Sequence, residues 1–145
     1  MAKDRQLHSD RFSVSLPSQL VADFDAMLER KGYSNRSLAV ADILRAWLVE
    51  QRRSNPQQEI AGAITLVYDH HKRHLQDHLT AIQHDHHHMI LATLHVHLDH
   101  HNCLEIIAVR GPAGDVQAIA DALVGAKGVK HGKLTVTSTG KDLVG

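Results

Sequence analysis

The sequence has few of the features that mark a secreted or membrane-bound protein. It contains a single cysteine, Cys103, which excludes an intrachain disulfide and favours a reducing, cytoplasmic setting. No apolar run approaches the roughly 18 residues that a membrane-spanning helix needs. The first residues also lack the basic and then apolar segments of a signal peptide. We therefore expect a cytoplasmic protein with no membrane partner.

An excess of charge of either sign is missing as well. The 16 Lys and Arg residues balance the 16 Asp and Glu residues. Any contact with nucleic acid must therefore come from a local basic patch rather than from the net charge of the protein. A chain of 145 residues can form one compact domain or two small ones. The residue pattern described below favours two.

Histidine, in contrast, is abundant. Of the 14 histidines, 12 lie between positions 70 and 101, inside the chain and interrupted by apolar residues, unlike a purification tag. His95 and His97 alternate in an apolar run, so a strand places both on one face. If residues 99–102 form a hairpin turn, Cys103 folds back beside them. Two imidazoles and a thiolate suit Ni(II), Cu(II) or Zn(II) and disfavour Mg(II) and Ca(II).

A fourth ligand must come from elsewhere in the protein. His84, at the end of a predicted helix, is the best candidate, and it acts either within the same chain or on a neighbouring one. The alternative is that the histidines are ordinary polar residues and that Cys103 is a small buried hydrophobe. The density of histidine favours a metal site. A weaker alternative is an auxiliary site on one helix face, formed by His71, His74 and His78.

Residues 11–53 have the pattern of one strand and two helices. The first six of them alternate between polar and apolar. Their polar face consists of Arg11, Ser13 and Ser15. Pro17 begins a helix that ends near Gly32, and Ser34 can cap a second helix. A lone strand cannot satisfy its own backbone groups, so we expect two copies to pair their strands into an antiparallel ribbon. Residues 1–10 are expected to form a flexible arm.

This N-terminal segment resembles a ribbon-helix-helix DNA-binding domain. Such a dimer would present Arg11, Ser13 and Ser15 twice, as groups small enough to read base edges in a major groove. Asn35 and Arg36 lie at the start of the second helix, where N–H groups and a guanidinium can anchor a phosphate. The alternative is a helical dimerisation module whose polar strand face is merely solvated.

A second domain is predicted for residues 59–138, after a short polar linker at 54–58 that contains a proline. Its pattern is β-α-β-β-α-β. Strands are predicted at 59–69, 89–98, 103–109 and 134–137, helices at 71–84 and after a cap at Asp115, and a turn at 111–114. This order is typical of the ferredoxin-like fold, a four-stranded antiparallel sheet with two helices on one face. A second subunit often covers the open face. Residues 139–145 form a C-terminal tail.

Taken together, residues 10–138 resemble the nickel-responsive transcriptional regulators, a family of ribbon-helix-helix repressors with an ACT-like metal-binding domain. The most specific matches are QHDHHH at 83–88 and LHVHLDHHNCLEI at 94–106. The resemblance implies an α+β protein with a β-α-α ribbon-helix-helix domain followed by a ferredoxin-like, ACT-like domain. It also implies square-planar Ni(2+) at a tetramer interface, held by three ligands of one chain and one histidine of a partner chain. The donor to the neighbour would be His84, and the other ligands His95, His97 and Cys103.

The same resemblance assigns roles to further residues. Three match positions that orient the ligands or respond when metal binds: Tyr68, His70 and Glu105. Lys72 and Arg73 match a loop that contacts DNA once the metal has ordered it. Leu38 departs from the family, because relatives can carry a carboxylate there that, with the one at Asp42, helps to hold a weaker second cation.

We therefore predict a homotetramer, built as a dimer of dimers. In this prediction Ni(2+) favours binding to double-stranded operator DNA with an inverted repeat and represses nickel uptake genes. One alternative is a nickel or zinc storage or delivery protein that never binds DNA, and another is a regulator that responds to a different transition metal. A small metallohydrolase is disfavoured. No acidic residue beside the ligands is an obvious general base, and a fourth protein ligand closes the position that a catalytic metal keeps open.

Overall fold

The structure, a computed structural model, describes residues 9–143. The chain forms two compact units that divide between Asp42 and Ile43. This division falls within a continuous helix rather than at residues 54–58, and the predicted domain boundaries stay predictions. No helix among residues 9–143 is both long and apolar enough to cross a membrane.

The first unit contains helix α1, Ser18–Lys31, and the beginning of helix α2, Arg36–Arg53. Gly32 ends α1 in the left-handed conformation, with φ 74°. The N–H groups of this glycine and of the next residue donate to carbonyls in the last turn, at 3.1 and 3.0 Å. This is the Schellman motif, and it confirms the predicted end of the helix.

The cap of helix α2 differs from the expectation. Asn35 caps α2, because its Oδ1 accepts the N–H of Leu38 at 3.0 Å. The expectation that Ser34 provides this cap is therefore wrong. Residues 9–17 have no regular secondary structure in the single chain. The strand at 11–16 stays a prediction, since its partner strand would belong to a second copy.

The second unit holds a four-stranded antiparallel sheet with two helices. Its elements are β1 (Glu59–Asp69), α3 (Leu75–Asp85), β2 (Ile90–His97), β3 (Asn102–Pro112), α4 (Ala113–Val124) and β4 (Val129–Thr137). The strand order is β2-β3-β1-β4, and every neighbouring pair is antiparallel. The observed class is α+β, and the predicted β-α-β-β-α-β order is confirmed for this unit.

Alternation along β1 and β3 builds the core of the second unit. On one face of the sheet, Ile64, Leu66, Ile107 and Val109 are fully buried. They pack with apolar side chains of both helices. The larger helical members of this cluster are Leu75, Leu79, Val116, Ile119 and Leu123. Burying each of these side chains contributes about 1.5–3 kcal/mol, so this packing holds the helices on the sheet and fixes the strand register that positions the site.

The start of α3 was predicted wrongly. The helix begins at Leu75 rather than near His71, because His74 adopts the left-handed conformation with φ 64°. The Asp69 carboxylate also accepts the N–H of His71 at 2.9 Å, and such local bonds compete with helix formation. The proposed auxiliary site on one helix face is therefore wrong, since two of its three histidines lie outside the helix.

The connection from β3 to α4 is also tighter than expected. β3 continues to Pro112 through the turn predicted at 111–114, and α4 begins directly after it. Pro112 occupies the cap position with extended backbone, and Asp115 lies in the first turn of the helix. Asp115 therefore does not cap α4, although an acidic side chain there is favourable for the helix dipole.

Candidate metal centre

The hairpin of β2 and β3 places three of the predicted ligands beside one another. In its register, His97 lies opposite Cys103 and His95 lies opposite Glu105. The two imidazole rings are 5.1 Å apart between centroids. Tyr68 pairs with Cys103 from the other side, on β1. Alternation puts these five side chains on the same, helix-covered face of the sheet.

Asp99 holds the turn of this hairpin. Its Oδ1 accepts the N–H groups of His101 and Asn102, both at 2.8 Å, and the side-chain amide of Asn102 donates to both carboxylate oxygens. These bonds, the Asn102 amide foremost, lower the pKa of Asp99 to about 2. An ionised Asp99 therefore fixes the turn that returns Cys103 to the side of His97.

Cys103 is fully buried, and its thiol donates to the backbone oxygen of Tyr68 at 3.4 Å. Burial raises the pKa of this thiol, so its thiolate needs a nearby cation to compensate the charge. The sulfur and the two neighbouring imidazoles are a donor set that fits Ni(II) or another borderline transition ion. The proton on sulfur is the one that coordination would displace.

Glu105 is the centre of a buried polar network next to His95. Only 5% of its surface is exposed, and its carboxylate accepts the Tyr68 hydroxyl at 2.5 Å and the Gln83 side-chain amide at 2.6 Å. Burial and this bond raise the pKa of Tyr68, so its hydroxyl stays a donor. His95 Nδ1 lies 3.4 Å from the Tyr68 oxygen and 3.7 Å from the carboxylate. If Nδ1 carries the proton toward these oxygens, Nε2 keeps its lone pair for a metal.

Gln83 is a residue of this network that sequence reasoning missed. It lies on α3 directly before His84, and its side-chain oxygen accepts the hydroxyl of Thr93 at 2.9 Å. Together with its bond to Glu105, this contact connects the helix that carries His84 to the two strands that carry the other predicted ligands. The available signal was its place at the start of the QHDHHH segment.

His70 links the predicted ligands to a neighbouring group of histidines. Its ring lies 5.2 Å from that of His97 and 4.0 Å from that of His71, between centroids. Burial, more than the neighbouring charges, lowers the pKa of His70, which keeps the ring neutral. Its Nδ1 is buried and has no hydrogen-bond partner among residues 9–143. An unsatisfied buried nitrogen beside His97 is a second feature, after the donor set, that fits an ion-binding site.

His84 does not join the other predicted ligands within one chain. It is exposed in the last turn of α3, and its ring contacts that of His87, 6.2 Å away between centroids. The ligand atoms of the other three are likewise not gathered to within 4.8 Å. Within residues 9–143, the only group of three or more His, Cys, Asp or Glu side chains that meets this distance is Asp69, His71 and His101. The ligand assignment stays a prediction, and an exposed His84 is compatible with donation to another chain.

The residues predicted to contact DNA lie on exposed surface. Arg11, Ser13 and Ser15 are exposed in the segment without regular structure. Lys72 and Arg73 are exposed in the turn between β1 and α3. Each of these side chains is therefore accessible to a polyanion in the single chain.

The two residues at the start of α2 are already engaged within the protein. Asn35 uses its side-chain oxygen as the helix cap. Arg36 forms a bidentate ion pair with Asp25, at 2.7 and 2.6 Å, and this pair lowers the pKa of Asp25. Exposed ion pairs contribute little to stability, so a phosphate can compete with Asp25 for the guanidinium.

A ferredoxin-like α+β unit with two histidines and a buried cysteine on one hairpin defines a transition-metal-binding domain. Comparison with known families is more specific. Residues 61–137, which are more than half of the chain, match the family described as the NikR C-terminal nickel-binding domain. The chain belongs to the NikR family, and Ni(2+) is the metal of this domain.

Curated relatives are similar over nearly the whole chain. A protein named as a nickel-responsive regulator from Nitratidesulfovibrio vulgaris (strain DSM 19637 / Miyazaki F) is 53% identical over 133 residues, which cover 92% of this chain and 96% of the relative. A protein of the same name from Geobacter metallireducens is 54% identical over 92% of this chain and 96% of its own length. A third, from Solibacter usitatus, is 52% identical over the same shares. The similarity therefore extends beyond the matched domain toward the N terminus.

Proposed function

We propose that the protein is a nickel-dependent transcriptional repressor that controls nickel uptake genes in the cytoplasm. In this proposal, Ni(2+) is held by His95, His97 and Cys103 of one chain and by His84 of another. The loaded homotetramer binds an inverted repeat in double-stranded operator DNA. The observation that carries the proposal is the hairpin register, which gathers two imidazoles and a buried thiol on one face of the sheet. The relatives that are named nickel-responsive regulators support the same role.

The donor set supports a sensor rather than a catalyst. A thiolate and imidazoles complete a closed coordination sphere, whereas a catalytic metal keeps a position open for water or substrate. The acidic residue nearest to the site, Glu105, already accepts hydrogen bonds from Tyr68 and Gln83. Its carboxylate is therefore used to orient groups around the ligands and is not poised as a general base.

Exposed apolar residues on the sheet support assembly of several chains. Leu94 and Val96 alternate with the two histidines of β2, so they lie on the opposite face of the sheet, where they are 57% and 36% exposed. In the register they lie beside Ile106 and Leu104 of β3, which are half-buried. A second copy packed on this open face would bury an apolar patch that water now covers.

The N-terminal segment supports a paired ribbon in the same way. Phe12, Val14 and Leu16 alternate with the polar candidates and are 73%, 65% and 48% exposed in the single chain. Burying three such side chains contributes about 1.5–3 kcal/mol each. Pairing of two segments into the proposed ribbon would remove them from water and leave Arg11, Ser13 and Ser15 on the outer face.

A complementation experiment tests whether the nickel site joins two chains. His84→Ala and Cys103→Ala each remove one ligand, so neither variant alone should show nickel–thiolate absorption when it is titrated with Ni(II). If the two are unfolded together and refolded as a mixture, about a quarter of the sites combine an intact hairpin with an intact donor histidine. We expect the absorption to return to that extent. A mixture that shows no more nickel–thiolate absorption than its components would exclude the shared site.

A gel-shift assay tests the DNA-binding half of the proposal. The wild-type chain should retard DNA from upstream of nickel uptake genes, or of its own gene, only when stoichiometric nickel is present. Arg11→Ala should keep nickel binding and lose this shift, whereas Arg30→Ala, an exposed basic residue of α1, should keep both. A storage or delivery protein would show nickel binding and no nickel-dependent shift in any of the three.

A further inference from the structure

The end of the chain, residues 138–143, folds back on the segment that joins α2 to β1. After β4, two local bonds turn the chain. The Ser138 hydroxyl accepts the N–H of Gly140 at 2.9 Å, and the carbonyl of Gly140 accepts the N–H of Leu143 at 3.2 Å. Gly140 has φ 88°, a conformation that residues with a side chain adopt rarely. This turn brings Asp142 to the end of α2.

Asp142 is bonded to both ends of the joining segment, residues 54–58. Its backbone oxygen accepts the Arg52 guanidinium at 3.3 Å, and its carboxylate lies 4.0 Å from another nitrogen of the same group. The carboxylate also accepts the side-chain amide of Gln58 at 3.3 Å. Arg52 lies in the last turn of α2 and Gln58 directly before β1. One residue near the end of the chain therefore connects the two ends of the predicted linker.

The contact between Arg52 and Asp142 is partly buried. Only 28% of the Arg52 side chain is exposed, and its Nη1 is buried without a hydrogen-bond partner among residues 9–143. The Asp142 carboxylate provides the opposite charge beside this nitrogen. The cleft between the chain end and the linker, which Val49 and Ile60 also line, has no room for a water molecule. A buried guanidinium nitrogen is costly without a compensating charge, so Arg52 favours the closed position of the chain end.

The other side of the linker is bonded to the start of α4. The carbonyls of Pro56 and Gln58 accept the N–H groups of Gly114 and Ala113, at 2.9 and 2.8 Å. Residues 54–58 are therefore held between α4 and the chain end. The contact with the chain end can be released without opening a helix or a strand, because residues 138–143 belong to neither.

We propose that residues 138–143 act as a strap that closes the linker at residues 54–58, and that release of the strap makes the linker mobile. The strap is able to open because 48% of the Asp142 side chain is exposed and water can replace its bonds. The inference goes beyond the proposed function, since it requires neither nickel nor DNA.

A chain end that merely lies on the surface explains only part of the arrangement. It accounts for the bonds within the turn, which are local. It does not account for the contacts with Arg52 and Gln58, which are 90 and 84 positions from Asp142. A second charge of the strap is also matched. The Arg110 guanidinium lowers the pKa of Glu59, the first residue of β1, and the Lys141 ammonium adds to this effect.

Hydrogen exchange of the full-length protein, followed by mass spectrometry without nickel, tests the proposal. The amides of Asn55 and Gln58 are bonded within the linker, so peptides that cover residues 54–58 report its opening. Asp142→Ala removes the carboxylate from both contacts and should speed exchange in these peptides by about 3- to 10-fold. The matched control is Asp77→Ala, which removes an exposed carboxylate from α3 and should leave the linker unchanged.

A second variant tests whether the two side chains act through one contact. Arg52→Met keeps the apolar stem, removes the guanidinium and should also speed exchange of the linker. If both substitutions open the same strap, the double variant should show less than the product of the two single effects.

Three results would overturn the inference: unchanged exchange of the linker in Asp142→Ala, an equal increase in Asp77→Ala, or fully independent effects of the Arg52 and Asp142 substitutions. An increase in Asp142→Ala that extends over the whole sheet would also overturn it, because the strap would then stabilise the fold and not the linker. Since no nickel is present, failure of the proposed function leaves these expected results unchanged.

Discussion

Replacing Glu105 by glutamine tests whether the buried carboxylate decides which nitrogen His95 would offer to nickel in the proposed site. The substitution keeps the shape of the side chain, removes its charge and turns one of two acceptor oxygens into a donor. In the native network both oxygens accept, from Tyr68 at 2.5 Å and from Gln83 at 2.6 Å. One of these donors must then reverse its role, either by rotation of the Tyr68 hydroxyl hydrogen or by a flip of the Gln83 amide.

The change in the free energy of unfolding follows from these bonds. A hydrogen bond to a charged group contributes about 1.5–3 kcal/mol and a neutral one about 0.5–1.5 kcal/mol, so the two bonds lose about 2 kcal/mol together. Part of this loss is offset because no charge is buried in the variant, and we expect Glu105→Gln to destabilise by about 1 kcal/mol. Glu105→Ala leaves the Tyr68 hydroxyl and the Gln83 amide without an acceptor, and we expect about 3–5 kcal/mol.

Nickel affinity should fall in the glutamine variant as well. In either rearranged network the charge 3.7 Å from His95 Nδ1 is gone. With it goes the attraction that would favour a proton on Nδ1 and a lone pair on Nε2. Loss of such a partner costs about 10–100-fold in metal affinity. Tyr68→Phe is the matched control, because it removes a hydroxyl from the same network and leaves the carboxylate able to accept from Nδ1 directly. Its loss should stay below about 10-fold.

Two measurements check these values. Urea unfolding at a fixed chain concentration, followed by far-UV circular dichroism, gives the order of stability of the wild type and the two Glu105 variants. Titration of nickel against a competing chelator gives the affinities. The reasoning about His95 is refuted if Glu105→Gln binds nickel as tightly as the wild type, or if Tyr68→Phe loses more affinity than Glu105→Gln. Equal free energies of unfolding for the glutamine and alanine variants would refute the energies assigned to these hydrogen bonds.

Further variants test other parts of the structure. Cys103→Ala should fold, since alanine leaves only a small cavity in the core, and should lose nickel–thiolate absorption; a retained band would remove Cys103 from the site. The carboxylate of Asp99 stabilises the folded hairpin at pH values above 3.8, its ordinary pKa. This stabilisation is lost as the pH falls toward about 2, the pKa of Asp99 in the folded protein. Thermal melts at several acidic pH values should therefore show Asp99→Ala converging on the wild type in acid, and a constant difference would contradict the assigned role. Asn35→Ala should destabilise by about 1 kcal/mol through loss of the cap, while Asn35→Ser should not; urea unfolding that ranks both variants equally would exclude the cap.

The strands around the site could be predicted because their patterns have no strong local competitor. β1 has the predicted bounds, Glu59–Asp69, since its run of apolar and β-branched residues favours a buried strand over other structures. The hairpin strands also lie where the alternation of histidine with apolar residues predicts them. Alternation with a period of two residues is therefore sufficient to predict that His95 and His97 lie on one face of the sheet.

Contacts that depend on how elements pack were not predictable in the same way. The bond between Gln83 and Glu105 joins residues 22 positions apart and exists only because α3 packs on the strands that carry the predicted ligands. The group of Asp69, His71 and His101 requires the register of β1 with β3, which no local pattern specifies. The late start of α3 has a different cause, because the turn at Asp69 and the left-handed His74 oppose an otherwise helical spacing.

Tyr68 connects the predicted ligands to the turn that carries two of the predicted DNA contacts. Its backbone oxygen accepts the Cys103 thiol, and its hydroxyl donates to Glu105. Tyr68 is therefore bonded both to one predicted ligand and to the carboxylate beside another, His95. Coordination of the sulfur requires loss of the thiol proton, which removes the donor to the Tyr68 carbonyl. The chain turns directly after Asp69 into the segment with Lys72 and Arg73, and we expect a change at Tyr68 to reach them along the backbone. If the protein is the proposed regulator, nickel favours the DNA-binding form only by binding that form more tightly, and coordination of the sulfur would remove this hydrogen bond within one chain.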